Sequence, residues 1–233
     1  MRRLILTILL LITMNAIHAK DPATILNYIV RQPGIKSEKT PVIILLHGVG
    51  SNEKDLFSFA GQLPEKYLVI SARAPIHLGG DSFAWYQVDF STGKPVYNFE
   101  QEERSRNLII SFIEEIKSKY SLNADEIYLC GFSQGAIMSY SVALTRPDLV
   151  SGIAVMSGRL LEEIKPKIKE DIKVHNLKVF ISHGMEDHTL SVNYAREAKA
   201  YLNTLGVNAK YTEYPAAHEI NSSMLHDMIV FFK

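Results

Sequence analysis

Past residue 20 the chain alternates short β-branched or apolar runs with longer stretches whose apolar positions recur at helical spacing. The short runs predict strands over Asn27 to Arg31, Val42 to Leu46, Tyr67 to Ala72, Ile127 to Cys130, Gly152 to Met156, Val179 to Ser182 and Lys210 to Tyr214. Between them lie helical stripes. Leu108, Ile109, Phe112, Ile113 and Ile116 fall on one face, with Glu114, Glu115, Lys117 and Lys119 on the other. Ala136, Ile137, Tyr140, Ala143 and Leu144 make a second stripe, which Pro147 stops after Arg146. Ile220, Met224, Leu225, Met228, Ile229 and Phe232 make a third. Strands separated by helices in this way predict an α/β fold, a mostly parallel central sheet with helices on both faces.

Two stretches fit no single element. Residues 73 to 100, from Arg73 through Trp85 and Tyr86 to Asn98, are rich in Gly, Pro and aromatics and read as a long irregular loop, a common home of function. Residues 159 to 177 are charged and interrupted by Pro166. They read as a surface connection with a helical turn or two.

The first nineteen residues stand apart from this pattern. Arg2 and Arg3 precede the apolar run Leu4 to Ile12, and Ile17-His18-Ala19 precedes Lys20. This is the layout of a secretory signal, too short and too weakly apolar near Asn15 for a good membrane span. Residues 1–19 are therefore expected to be removed, with Ile17 bulkier than the residue usual at that place. Residues 20–233 are left as one exported domain without a membrane span. Of the 233 residues, 47% are hydrophobic, enough for one substantial core. The formal net charge of zero speaks against a nucleic-acid partner. The single cysteine, Cys130, has no internal disulfide partner and reads as a core residue.

Candidate chemistry begins at Gly131-Phe132-Ser133-Gln134-Gly135, between a strand and a helix. A serine on so sharp a turn needs small neighbours where the two flanking segments pass close by, and Gly131 and Gly135 supply them. The N-terminal amides of the following helix favour the negative charge that develops during acyl transfer. A serine hydroxyl needs an imidazole to take its proton, and the imidazole needs a carboxylate to fix its tautomer. Such groups gather at the carboxyl ends of parallel strands. The run Val179 to Ser182 leads into His183-Gly184-Met185-Glu186-Asp187-His188, and Lys210 to Tyr214 leads into Pro215-Ala216-Ala217-His218. Asp187 and His218 complete the expected order of serine, acid and histidine. Glu186 is the rival acid, one residue short of the usual spacing past the glycine. His183 and His188 are rival bases, but they share a tight loop with the acid. For the oxyanion, backbone amides are expected from Gln134 and from the loop His47-Gly48-Val49-Gly50, with Val49 as the donor. His47 is expected to shape that loop and Arg73 to anchor its own.

With these residues placed, the chain resembles the phospholipase/carboxylesterase family of α/β hydrolases. The resemblance spans about residues 40 to 232 and rests on Leu46 to Gly50, Arg73-Ala74-Pro75, Ala84-Trp85-Tyr86, Gly131 to Ala136, Ser157-Gly158, His183 to Asp187 and His218-Glu219-Ile220. It implies the α/β-hydrolase fold with no large cap domain, the triad Ser133, Asp187 and His218, and the Val49 and Gln134 amides as the oxyanion hole. Ala217 departs from the glycine common before the histidine, and the leader departs from the cytosolic thioesterases of the family.

The expected activity is that of an exported serine carboxylesterase acting on a small-molecule ester, a lysophospholipid or another acyl ester, without metal or other cofactor. Trp85 and Tyr86 are expected as pocket walls. The alternatives are a thioesterase, or a catalytically silent relative that binds a small ligand. A metal-dependent hydrolase built on His183, Asp187 and His188 is disfavoured, because no His-Glu-x-x-His segment is present.

Overall fold

The computed structural model describes residues 24–89, 91, 96–168 and 176–233. The leader expected over residues 1–19 lies outside the described residues. In chain order the elements are β1 (Tyr28–Arg31), β2 (Thr40–Leu46), α1 (Lys54–Phe57), β3 (Leu68–Ala72), β4 (Ile76–Gly79), β5 (Ser82–Ala84), β6 (Val88–Asp89), β7 (Val96–Tyr97) and α2 (Phe99–Lys119). They continue with β8 (Leu122–Phe132), α3 (Gln134–Thr145), β9 (Gly152–Met156), β10 (Lys178–Gly184), α4 (Asn193–Thr204), β11 (Lys210–Tyr214) and α5 (Ser222–Phe231).

Seven strands form one sheet in the order β1-β3-β2-β8-β9-β10-β11. Only the edge strand β1 runs antiparallel, against β3. The other pairings are parallel. The central strands carry apolar runs, such as Val42 to Leu46, Ile127 to Cys130 and Ile153 to Met156, because both faces are covered. Ile44, Leu46, Leu129, Ile153, Val155 and Ile181 face a cluster shared with α2, α3 and α4. Ile43, Leu45, Val69, Tyr128, Cys130, Ala154 and Phe180 face the cluster closed by α1 and α5. Removing each large aliphatic or Phe side chain among these from water stabilises the fold by roughly 1.5–3 kcal/mol. Cys130 is buried on the second face with its sulfur 3.4 Å from that of Met228.

Helix α3 is buried along its whole length. It lies between the sheet and α2, and Glu102 of α2 accepts a hydrogen bond from the Ser141 hydroxyl at 2.6 Å. α2 starts where the Asn98 side chain accepts from the Gln101 amide, with Glu100 and Glu102 in its first turn and Lys117 and Lys119 in its last. Asn221 caps α5 in the same way, accepting from Met224.

The described residues of the stretch from 73 to 100 are more ordered than its composition suggests. β4 and β5 make a hairpin turned at Gly79 and Gly80, both at positive φ, and β6 pairs with β7. The connection after β9 carries a short 3₁₀ helix over Glu162–Lys167. Among the described residues no separate cap domain is built, and no helix is long and apolar enough to cross a membrane. Since β2, β8, β9, β10 and β11 are mutually parallel, the loops that follow them all leave the sheet at one edge.

Candidate active site

Ser133 occupies the single residue between β8 and α3, at φ 53° and ψ −117°. A non-glycine residue pays about 1–3 kcal/mol for such a conformation and keeps it only where its surroundings fix it. Here the Ser133 amide donates to the Met156 carbonyl at 2.9 Å, and the Ser133 carbonyl accepts the first helical bond, from Ile137. The two glycines of the motif are needed for close approach. A β-carbon on Gly131 would run into the Gly135 backbone, and one on Gly135 into the Leu46 carbonyl.

The β10 and β11 loops are knitted together by backbone bonds. Met185 donates to the Tyr214 carbonyl at 2.8 Å and Glu186 to the Ala216 carbonyl at 3.0 Å. This brings His218 over Asp187. His218 Nδ1 lies 2.7 Å from Asp187 Oδ2, and His218 Nε2 lies 2.9 Å from Ser133 Oγ. The imidazole packs against Phe132 with ring centroids 5.0 Å apart. Asp187 is buried, and its second oxygen accepts the amides of Thr189 and Leu190, each at 2.8 Å. With the carboxylate holding the proton on Nδ1, Nε2 is left as the acceptor for the serine O–H. A hydroxyl so placed is set to transfer its proton to the ring as it attacks an electrophile.

The rival groups fall elsewhere. Glu186 and His188 are exposed, while Asp187 between them points inward. His183 is fully buried. Its Nε2 lies 2.7 Å from the Leu190 carbonyl and 3.2 Å from Asp187 Oδ2, the oxygen that also meets His218. Burial lowers its pKa, so the ring stays neutral behind the carboxylate. Ala217 in place of glycine is accommodated because its methyl is exposed and its φ is not positive.

On the other side of Ser133, the loop after β2 lies close enough that a β-carbon on Gly48 would stand 3.4 Å from the serine Cβ. Val49 is exposed on this loop, and neither its amide nor that of Gln134 has an acceptor among the described residues. His47 holds the loop from beneath. Its Nδ1–H donates to the Gly48 carbonyl at 2.7 Å, and Nε2 accepts from the Ala74 amide at 3.0 Å. Burial lowers the His47 pKa as well, which keeps this donor and acceptor arrangement. Arg73 makes a bidentate pair with buried Glu53, so it ties its own loop to the start of α1.

Trp85 and Tyr86 are not at an open surface. They are 0% and 1% exposed, and as the pocket walls expected from sequence they are inaccessible in this structure. Trp85 Nε1 donates to the His47 carbonyl at 3.0 Å. The Gln134 side chain brackets the Trp85–Tyr86 dipeptide, accepting from Trp85 N at 2.8 Å and donating to the Tyr86 carbonyl at 2.7 Å. That clamp was missed in the sequence, where nothing links position 134 to position 85.

A family model described as Phospholipase/Carboxylesterase matches residues 30–233. Acyl-protein thioesterase 1 of Candida albicans is 26% identical over 225 residues, covering 88% of this chain and 96% of that protein. A probable carboxylesterase, SOBER1-like, of Arabidopsis thaliana is 28% identical over 198 residues, covering 78% of this chain and 74% of that protein. The crystal structure of the Bacillus cereus carboxylesterase shares the fold with a TM-score of 0.78 at 19% identity, over 91% of this chain and 95% of that one.

Proposed function

The chain belongs to the phospholipase/carboxylesterase family of hydrolases, and from that premise we propose that it is an exported serine carboxylesterase working through an acyl-enzyme. The observation that carries this reading is the hydrogen-bond chain from Ser133 through His218 to buried Asp187, with the serine held at positive φ on the turn. Ser133 Oγ attacks the ester carbonyl as His218 Nε2 takes its proton. Asp187 keeps the ring in the tautomer that can accept it and stabilises the imidazolium that results. The tetrahedral oxyanion is received by the amides of Val49 and Gln134, each donor contributing on the order of 3 kcal/mol to the transition state. Collapse breaks the ester C–O bond, and His218 returns the proton to the departing alkoxide. Water then attacks the acyl-serine, with His218 as its base, and the acid is released.

The substrate class in this reading is a small-molecule carboxylic ester, a lysophospholipid or another acyl ester. Names of the relatives, carboxylesterase and acyl-protein thioesterase, support acyl transfer to water as the reaction. The leader over residues 1–19 supports export, and a mature N-terminus at Lys20 in the exported protein is the expected result of peptide sequencing. A fluorophosphonate probe should label the mature protein, and p-nitrophenyl butyrate should be turned over. Both signals should vanish in Ser133→Ala. Turnover or labelling that survives that substitution would remove the assignment.

A further inference from the structure

Arg159 follows Ser157-Gly158 at the carboxyl end of β9, the edge of the sheet that carries Ser133. Gly158 closes on the first turn of α3, since a β-carbon there would stand 2.5 Å from the Ala136 Cβ. The guanidinium lies over the Tyr97 ring at 4.2 Å and the Tyr194 ring at 5.2 Å. Tyr97 meets Tyr86 edge-on at 6.0 Å, and the Tyr86 carbonyl is held by Gln134, the residue after the serine. A short chain of contacts thus joins this arginine to the proposed oxyanion hole.

The other described arginines are occupied. Arg31 donates to four backbone carbonyls. Arg73 pairs with Glu53, Arg104 with Glu100, Arg106 with Glu103, Arg146 with Asp148 and Arg196 with Glu213. Arg159 alone has neither a hydrogen bond nor an ion pair among the described residues, and its Nε is buried without an acceptor. Glu163 acts on the Tyr97 phenol but makes no ion pair with Arg159. The two Nη groups are not buried and have no acceptor among the described residues, so they are the donors that an anionic ligand can reach. Two aromatic rings hold the guanidinium carbon, and the Nη1–Nη2 pair is left as a donor fork of the kind that receives a carboxylate or phosphate bidentately.

We propose that Arg159 recognises an anionic group on the substrate, so that the preferred esters are those bearing a carboxylate or phosphate on the acyl or the alcohol part. This rests on the hydrolase reading above.

Two matched pairs of esters separate the sources of the anion. Monoethyl adipate against diethyl adipate places the charge on the acyl side, and 4-acetoxybenzoate against 4-acetoxybenzamide places it on the alcohol side. In at least one pair, Arg159→Met should lower kcat/KM for the anionic member by about tenfold or more, the scale of a charge-assisted hydrogen bond. The neutral member should change less than about twofold, and Arg159→Lys should recover part of the loss, as a point charge does without the bidentate fork. Equal losses on charged and neutral esters in both pairs would overturn the proposal. If Arg159→Met does not fold, the wild-type protein decides. Adipate or inorganic phosphate should then inhibit p-nitrophenyl butyrate hydrolysis competitively and less strongly at high salt, and absence of inhibition by both overturns it. If the wild type turns over no ester at all, the hydrolase reading has failed separately. Calorimetric binding of adipate or phosphate by wild type that weakens in Arg159→Lys and is lost in Arg159→Met would still uphold the site, and no binding by wild type, or equal binding by the variants, would reject it.

Discussion

The side chain of Gln134 holds the Trp85 amide at 2.8 Å, and through the neighbouring Tyr86 carbonyl at 2.7 Å it closes a two-bond clamp on a buried dipeptide. Gln134→Ala leaves a donor and an acceptor unmatched in a buried site. Each orphan costs about 1–3 kcal/mol, so urea unfolding should show a loss of about 2–6 kcal/mol. Trp85 also carries the His47 carbonyl contact, so the loop bearing Val49 should loosen and ester turnover fall further than stability alone explains. An unfolding midpoint unchanged from wild type would show that the clamp is dispensable.

Gly135 and Gly50 both flank the proposed oxyanion hole, yet they should respond differently to alanine. A β-carbon on Gly135 would overlap the Leu46 and His47 carbonyls, where no side chain can move aside. Gly135→Ala is expected to yield little folded protein, and what folds should have lost ester turnover. Gly50 lies at φ 81° with open space around it, so Gly50→Ala should cost only about 1 kcal/mol of backbone strain. Soluble yield and thermal midpoint of the two variants, side by side, test the contrast.

The inner strands of the sheet were readable because burial on both faces demands apolar runs, the edge strands β1 and β11 from their β-branched and aromatic residues, and only strand ends moved. β8 begins at Leu122 rather than Ile127, since the polar residues 123 to 126 lie in an irregularity of its pairing with β2. Helix α4 went unnoticed in sequence, its inward face being little more than Ala195, Ala198 and Leu202. The β4–β5 hairpin did carry a local signal in Gly79-Gly80 that the aromatic irregularity around it obscured. Ser133, Asp187 and His218 could be placed from strand-end logic. Relations such as Gln134 to Trp85, or Arg159 to Tyr97, join distant segments through side chains and leave no trace in periodicity.

His183 lies behind Asp187, with its Nε2–H shared between the Leu190 carbonyl and the carboxylate oxygen that meets His218. Removing that donor leaves Oδ2 more basic toward His218, so the imidazolium is stabilised in the free enzyme. For His183→Phe the acid limb of the kcat/KM profile should therefore shift to higher pH, with kcat lower by on the order of tenfold as the carboxylate loses one restraint. His183→Gln, which can present an N–H at the same depth, should restore most of both. A change in stability with an unmoved pH profile would reduce His183 to packing alone.

His47 sets an acid limit on stability. Its Nε2 accepts the Ala74 amide, so a proton there would face another donor, and burial further disfavours the charged ring. The folded-state pKa lies below the ordinary 6.5, as it does for His183. As pH falls below that ordinary value the unfolded chain takes up protons first. The contribution is therefore complete above about pH 6.5 and is lost as pH falls through the folded-state values. Glu102 works in the opposite sense, since burial raises its pKa and its contribution is lost as pH rises. The two signs can be separated by substitution. Urea midpoints of the wild type should fall between about pH 7.5 and about pH 5.5, whereas His47→Gln, less stable at the upper pH, should decline less steeply. A variant whose midpoint tracks the wild type in parallel across that range would show that His47 does not couple folding to protons.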